Sequence, residues 1–393
     1  MPARIIKISV PGSKSITNRA LLLAALTKNS TTIKNAGICD DTIYMISGLK
    51  KLGVKIQKSG TTLRVHGEKS TKTANIYTGN AGTATRFLTA FAVLTNQKVK
   101  IYGDKRMNSR PIHHLTSALK QLGAKIKDTN GHTPVYISPS PNIGGKAKIR
   151  GDVSSQFISA LLMIAPFTSR KTTISTIGKI TSIPYIEMTK KMIKEFLNKK
   201  SHTFMVESDA SSASYISAYM ALNPHKRIII QNINKNSIQG DVKFMDYIKK
   251  MGYLPNLKPL GKIDMNQTPD LVMTFAVLAM FAKGITKITN IANLRVKESD
   301  RIDALKNEIS KFGIKVETGK DFMKIHGDPT ILKKSADKKI TIETYSDHRI
   351  AMAFGILKDK FPHLTIKNPS CVNKSYKTFW KDLNKLIKHD NRN

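Results

Sequence analysis

Apolar positions along this chain follow two rhythms. Runs with apolar residues three and four apart read as helices burying one face, and short runs alternating every second residue read as strands. The rhythms are joined in a recurring unit: a helical pattern closes on an apolar-Gly pair, then comes a short strand, a polar turn and a second strand. One copy is Leu52-Gly53-Val54-Lys55-Ile56, a Ser-Gly turn, then Leu63-Arg64-Val65-His66-Gly67. Another runs from Leu122-Gly123-Ala124-Lys125-Ile126 to Val135-Tyr136-Ile137, and a third from Phe312-Gly313-Ile314-Lys315-Val316 to Phe322-Met323-Lys324-Ile325-His326-Gly327. Weaker echoes begin at Phe196-Leu197-Asn198 and Met251-Gly252. A spacing of roughly 60–70 residues is one supersecondary unit per copy, which predicts two pseudo-symmetric halves built from βα units.

The helical rhythm predicts helices over Ser15–Thr27, Thr83–Thr95, Ile112–Leu122, Gln156–Ile164, Ile186–Leu197, Ala213–Leu222, Val242–Met251, Leu271–Ala282, Ser299–Phe312 and His348–Leu357. Strands alternating with helices give an α/β (α+β) class with sheets covered by helices. A polar, Ser-rich stretch at Glu207–Ser212 marks the expected boundary between halves. Leu271–Ala282, the most apolar window, is too short to span a bilayer and reads as a buried helix.

Composition narrows the class. At 393 residues the chain has room for two domains. Two cysteines, Cys39 and Cys371, make no disulfide framework, and their wide spacing without histidine neighbours argues against zinc. The chain reaches Pro11-Gly12 before any signal-peptide apolar segment, so a cytoplasmic protein is expected. The net charge of +38, from 65 basic and 27 acidic residues, would suit a nucleic-acid binder. Yet lysines are spread over the whole length, and aromatics, at 7%, form no stacking run among them. A bias towards Lys, Ile and Asn accounts for the excess equally well, and small anionic substrates would profit from the same field.

Several polar stretches carry candidate chemistry, each with a plainer reading beside it. Asn293–Arg301 packs five charged residues into nine positions. If it opens a helix, Lys297 and Arg301 fall on one face and Glu298 sits three residues from Arg301. That makes an anion-binding surface with its own proton donor or acceptor; a solvated helix face fits the same pattern. In Pro11–Arg19, a Gly and Ser turn before an apolar run leaves backbone N–H groups for an anion, with Lys14, Ser15 and Arg19 nearby, although P-loop spacing is absent. Gly79-Asn80-Ala81-Gly82 is a second glycine turn opening a helix, where Gly82 would let a ligand approach the backbone. Asp104–Pro111 is a basic loop whose arginines suit carboxylate or phosphate, with Pro111 expected at the first helical position. Ser154, Ser155 and Gln156 offer neutral donors at a helix start, as do Ser182 and Tyr185 around Pro184; N-capping explains one serine as well. Asp270 is an N-cap or a general base whose pKa an apolar wall would raise. His348, in Tyr345-Ser346-Asp347-His348-Arg349, reads as a structural histidine, and Lys374 as a solvated lysine.

Taken in order, PGSKSITNRALLLAAL, GNAGTATRFL, RMNSRP, DVSSQF, NLRVKESDR and YSDHRIAM resemble the signatures of the 5-enolpyruvylshikimate-3-phosphate synthase family of enolpyruvyl transferases, over essentially the whole chain. The resemblance implies two domains, each of three βαβαββ repeats with pseudo-threefold symmetry. One would comprise 13–207, the other 1–12 with 208–393, with the active site in the interdomain cleft. It implies transfer of the enolpyruvyl group of phosphoenolpyruvate to the 5-hydroxyl of shikimate 3-phosphate, with no cofactor, metal, nucleic acid or membrane, by a monomer. Lys14 would touch both substrates. Ser15, Arg19, Ser154, Ser155, Gln156, Ser182, Tyr185, Asn293 and Lys297 would hold shikimate 3-phosphate. Gly82, Arg110, Arg301, Arg349 and Lys374 would hold phosphoenolpyruvate, and Asn80 belongs to the substrate-binding set. Asp270 would be the base on the 5-hydroxyl, and Glu298, assisted by Lys14, the acid at the methylene carbon.

Three positions depart from the family pattern. Ile183 stands where a lysine is usual, Leu294 where a tryptophan is, and Phe87 where a proline is. The region Ile193–Glu207 looks shortened. The sister transferase acting on UDP-N-acetylglucosamine is disfavoured, because it carries a cysteine in the loop corresponding to Asp104–Arg110 and this chain has none there.

Overall fold

A computed structural model describes residues 5–27, 29–68, 72–198, 202–234 and 236–388. The chain divides into two compact units, one formed by Pro11–Glu207 and the other by Met1–Val10 with Ser208–Asn393.

The three clear sequence repeats fold into three four-stranded sheets of one topology. In the first, Lys55–Ser59 and Thr62–His66 form a hairpin, Thr31–Lys34 pairs antiparallel with its second strand, and Thr203–Met205 lies parallel outside that. The same arrangement recurs for Ala74–Tyr77, Val99–Tyr102, Lys125–Thr129 and His132–Ser138. It recurs again for Gly261–Asp264, Gly284–Thr289, Lys315–Thr318 and Phe322–Gly327. Turn chemistry fixes the hairpins. Between Thr129 and His132, Asn130 and Gly131 take φ of 51° and 83°, the left-handed pair that a two-residue turn needs to match strand twist.

Among the described residues the remaining repeats keep only a parallel strand pair. These are Gly145–Arg150 with Thr172–Ile177, Ile6–Ile8 with Ile228–Ile230, and Ile340–Ile342 with Leu364–Ile366. The echo at Met251-Gly252 thus yields no hairpin, and the one at Phe196–Asn198 runs into residues 199–201, outside the described set.

Each unit is cored by three helices that are buried nearly all round, polar residues included. They are Lys14–Leu26, Gly82–Ala92 and Ser155–Ile164 in one unit, and Ala210–Leu222, Val272–Ala279 and His348–Gly355 in the other. The helices Asp40–Lys51, Pro329–Lys334 and Phe379–Lys388 are additional to the expected ones. Asp40–Lys51 bears acids in its first turn and lysines in its last, matching the helix dipole.

Three local expectations are corrected. Asn293–Arg301 does not open a helix: Ala292–Val296 is a 3-10 turn, Lys297 is extended, and the helix begins at Arg301. Asp300 is the reason, because its carboxylate accepts from the N–H groups of Ile302 and Asp303 at 3.1 and 3.2 Å and so ends the preceding turn. Pro111 precedes the cap residue Ile112 of the His113–Gln121 helix instead of occupying its first turn. Asp270 does not cap the Val272–Ala279 helix; it lies within a 3-10 turn, Pro269–Leu271, and its carboxylate is drawn to arginines.

Candidate functional site

Several of the motifs stand at the N-termini of the buried helices, where the first backbone N–H groups have no intrahelical partner. In the Pro11–Glu207 unit, Ser13 caps the first helix and Lys14 and Ser15 begin it. Lys14 Nζ lies 3.0 Å from Asp41, a buried carboxylate in the first turn of the next helix. A cation at a helix N-terminus opposes the dipole, and Asp41 offsets that cost. Sequence reading missed Asp41 because no helix was expected over Asp40–Lys51, and nothing local ties Asp41 to Lys14, 27 residues away.

Arg19, one turn further in, is fully buried. Its Nε donates to Thr189 Oγ1 at 2.7 Å, its Nη1 to the Ser15 carbonyl at 3.0 Å, and its Nη2 to Ser159 Oγ and the Tyr185 carbonyl at 3.2 and 3.3 Å. The rings of Phe87 and Tyr185 stand 5.3 and 5.8 Å from its guanidinium carbon. All these partners are neutral. Burial accordingly lowers its pKa to about 10, and the site favours an added anion. Phe87, the departure from the family's proline, packs against this cation.

Gly82 opens the second buried helix beneath two guanidinium groups. A Cβ there would meet Arg86 Nη1 at 2.4 Å and Arg110 Nη2 at 2.8 Å, so only glycine lets both approach the helix start. Arg110 Nη1 is held by Asn80 Oδ1 at 3.0 Å. Arg86, which the sequence reading passed over, is buried and donates to the Pro111 carbonyl at 3.2 Å. The third helix brings Ser154 as N-cap, its Oγ accepting from the Gln156 N–H, and Ser155 as first residue. Gln156 Nε2 reaches Thr83 Oγ1 at 3.1 Å, which joins the second and third helix starts. Ser182 is buried in a left-handed corner, φ 56°, just before the helix containing Tyr185.

In the second unit an ion cluster forms around Arg301, which is 1% exposed. Its Nε donates to Asp347 at 2.8 Å, Nη1 to Asp270 at 3.2 Å and Nη2 to Glu298 at 2.9 Å. Arg349 Nη2 takes the other oxygen of Asp270 at 2.6 Å, while its Nη1 faces the Tyr215 hydroxyl at 3.4 Å. Lys374 is mostly buried rather than solvated, with Nζ 3.9 Å from Glu298. Asn293 is buried on the preceding 3-10 turn. His348 is buried, its Nδ1 3.6 Å from Asp347.

Burial alone would raise the Asp270 pKa, as the apolar-wall reading expected. Arg349, Arg301 and Lys297 outweigh it and hold the carboxyl well below the usual range. That corrects the expectation of a raised value. The same carboxylates push Arg301 above its ordinary value against burial. Arg301, Arg349, Lys374 and Lys297 thus face Asp270, Glu298 and Asp347, a surplus of one positive charge.

A family model described as EPSP synthase (3-phosphoshikimate 1-carboxyvinyltransferase) matches residues 6–383. A 3-phosphoshikimate 1-carboxyvinyltransferase of Haemophilus influenzae (strain PittEE) is 40% identical, over 98% of this chain and 96% of its own. One of Buchnera aphidicola subsp. Cinara cedri is 38% identical over the same shares. An EPSP synthase structure from Acinetobacter baumannii superposes with a TM-score of 0.72 over 97% of this chain and 95% of its own. Its identity is 21%, so that likeness concerns the fold alone. With a family model spanning nearly the whole chain and relatives aligned end to end, the chain belongs to the EPSP synthase family of 3-phosphoshikimate 1-carboxyvinyltransferases.

Proposed function

We infer that the protein transfers the 1-carboxyvinyl (enolpyruvyl) group of phosphoenolpyruvate to the 5-hydroxyl of shikimate 3-phosphate, releasing phosphate, in the shikimate pathway to aromatic amino acids. The reaction is addition then elimination. The 5-oxygen bonds to C2 of phosphoenolpyruvate and loses its proton while C3 gains one. Phosphate then leaves C2 and C3 returns its proton. The observation that carries the reading is the buried cluster in which Arg301 touches Asp270, Glu298 and Asp347 at once. It combines anion-binding charge with two carboxylates fit for general acid–base work.

In this reading Asp270 takes the 5-hydroxyl proton, and Glu298, with Lys14, serves C3. Arg301, Arg349 and Lys374 hold phosphoenolpyruvate with Arg110 and Gly82. Ser15, Arg19, Ser154, Ser155, Gln156, Ser182, Tyr185, Asn293 and Lys297 hold shikimate 3-phosphate, and Asn80 supports Arg110. The Pro11–Glu207 unit supplies the first phosphate-binding motifs, and the other unit supplies both carboxylates. A carboxylate whose pKa is held down is a poor base. When an anionic substrate engages Arg301 and Arg349 it shares their charge, and Asp270 regains basicity as the reactant arrives. The same reading has the enzyme act as a cytoplasmic monomer without a cofactor; no described helix is long and apolar enough to cross a membrane.

A phosphate-release assay tests the assignment. Phosphate should appear when phosphoenolpyruvate is supplied with shikimate 3-phosphate, and not with UDP-N-acetylglucosamine. Release with the latter alone would reverse it.

A further inference from the structure

Arg349 and Lys374 both follow the C-terminal ends of two neighbouring parallel strands, Ile340–Ile342 and Leu364–Ile366, paired with Ile342 opposite Ile366. Past these ends both segments turn through left-handed residues that are not glycine. Tyr345 and Ser346 each have φ 53°, and Asn368 has φ 46°. Asparagine enters this region readily, but the Tyr345-Ser346 pair persists there only where surrounding contacts hold it.

Two side-chain bonds do so here. Asn368 Nδ2 donates to Ser346 Oγ at 3.2 Å, tying the two corners to each other. The Tyr345 hydroxyl donates to Glu308 Oε1 at 2.8 Å. Glu308 is a fully buried carboxylate that also accepts from the Glu343 N–H at 3.0 Å and from Lys311 Nζ at 2.6 Å. It lies seven residues beyond Arg301 in the Arg301–Ser310 helix, on the same face. One helix therefore grips one segment twice: Arg301 takes Asp347, and Glu308 takes Tyr345 and the backbone of Glu343. The left-handed pair lies between these grips.

We propose that Glu308, Tyr345 and Asn368 are positioning residues for phosphoenolpyruvate, setting the spacing of Arg301, Arg349 and Lys374 by fastening both strand-end corners to one helix. None of the three is assigned to a substrate, and the proposal rests on the reading that those cations hold phosphoenolpyruvate. It gives a use to the third bond of a buried carboxylate that, besides Lys311 and the Glu343 N–H, accepts from an exposed tyrosine two residues before Asp347.

The experiment uses Tyr345→Phe, which removes one hydroxyl, and Asn368→Gly, which removes the amide while keeping the left-handed backbone accessible. Glu308→Gln is the third variant and Arg349→Gln the control. Each of the three should raise KM for phosphoenolpyruvate about fivefold or more with KM for shikimate 3-phosphate little changed; Tm should hold in Tyr345→Phe and Asn368→Gly and fall in Glu308→Gln, which disturbs a buried ion pair. If Tyr345→Phe and Asn368→Gly leave KM for phosphoenolpyruvate within twofold while Arg349→Gln raises it, the proposal is overturned and the substrate reading stands. If Arg349→Gln itself leaves that KM unchanged, the substrate reading fails and takes the proposal with it. Equal changes in both KM values with a lowered Tm mark a merely structural role, and also overturn it.

Discussion

Arg349 and Asp270 meet at 2.6 Å, with Arg301 on the second carboxylate oxygen at 3.2 Å. The consequence is a depressed Asp270 pKa. Since the folded value lies below the unfolded one, the stabilisation is present above the ordinary carboxyl value of about 4 and is lost as pH falls through the folded value. The acid limb of kcat/KM assignable to Asp270 should therefore lie below about pH 4, and Arg349→Gln should move it upward by about a unit or more. A limb unmoved by that substitution would separate Arg349 from the charge state of Asp270.

Glu298 stands between Arg301 Nη2 at 2.9 Å and Lys374 Nζ at 3.9 Å. Glu298→Gln keeps the shape and removes proton transfer. Turnover should fall by about 100-fold or more, with calorimetric affinity for shikimate 3-phosphate within a few fold of the parent. Full turnover would remove Glu298 from its role.

Arg19 is a buried cation surrounded by neutral acceptors, and lysine cannot reproduce its fork. Shikimate 3-phosphate at about 100 times Kd should stabilise the parent by about 2.7 kcal/mol. Arg19→Lys should lose most of the corresponding rise in Tm at the same ligand concentration. An undiminished shift in that variant would place the phosphate elsewhere.

A methyl group at Gly82 would collide with Arg86 Nη1 and Arg110 Nη2. The guanidinium ends must move, so Gly82→Ala should raise KM for phosphoenolpyruvate by about tenfold, while KM for shikimate 3-phosphate changes little. Steady-state kinetics with each substrate varied in turn would show whether the two constants separate.

Asp241 is buried and bonded to the Ser211 hydroxyl. Burial, then the neighbouring charge of Asp270, raises its pKa to about 7. Here the folded value exceeds the unfolded one. The contribution of Asp241 to stability is complete below about pH 4 and is lost as pH rises through about 7. Asp241→Asn should flatten the fall in Tm over that interval; an identical slope in the variant would assign the titration to another group.

What the sequence disclosed follows the range of each physical rule. Hairpins at Lys55–His66, Lys125–Ser138 and Lys315–Gly327 were legible because turn residues and alternation are local. The pairing of Ile6–Ile8 with Ile228–Ile230 was not, since it joins short strands over two hundred residues apart with no turn between them. In the site, the charged motifs announced themselves, but their partners did not. Asp270 looked like a cap because its arginines lie 31 and 79 residues away. Asp347 caps its helix, accepting from the Arg349 N–H at 2.9 Å. Its second task, holding Arg301, needed the fold to show it.

That double employment has a consequence for how the chain tolerates change. Ser13, Ser154, Asp209 and Asp347 each fasten the start of a buried helix. Lys14 and Ser155, one residue past their caps, and Arg349, two residues past its cap, also serve a substrate in the reading above. A saturation scan should therefore find narrow troughs at the helix starts, where foldability and turnover fail together. The outer hairpins should tolerate wide variation, and the lysines among them can drift with little effect on the chemistry.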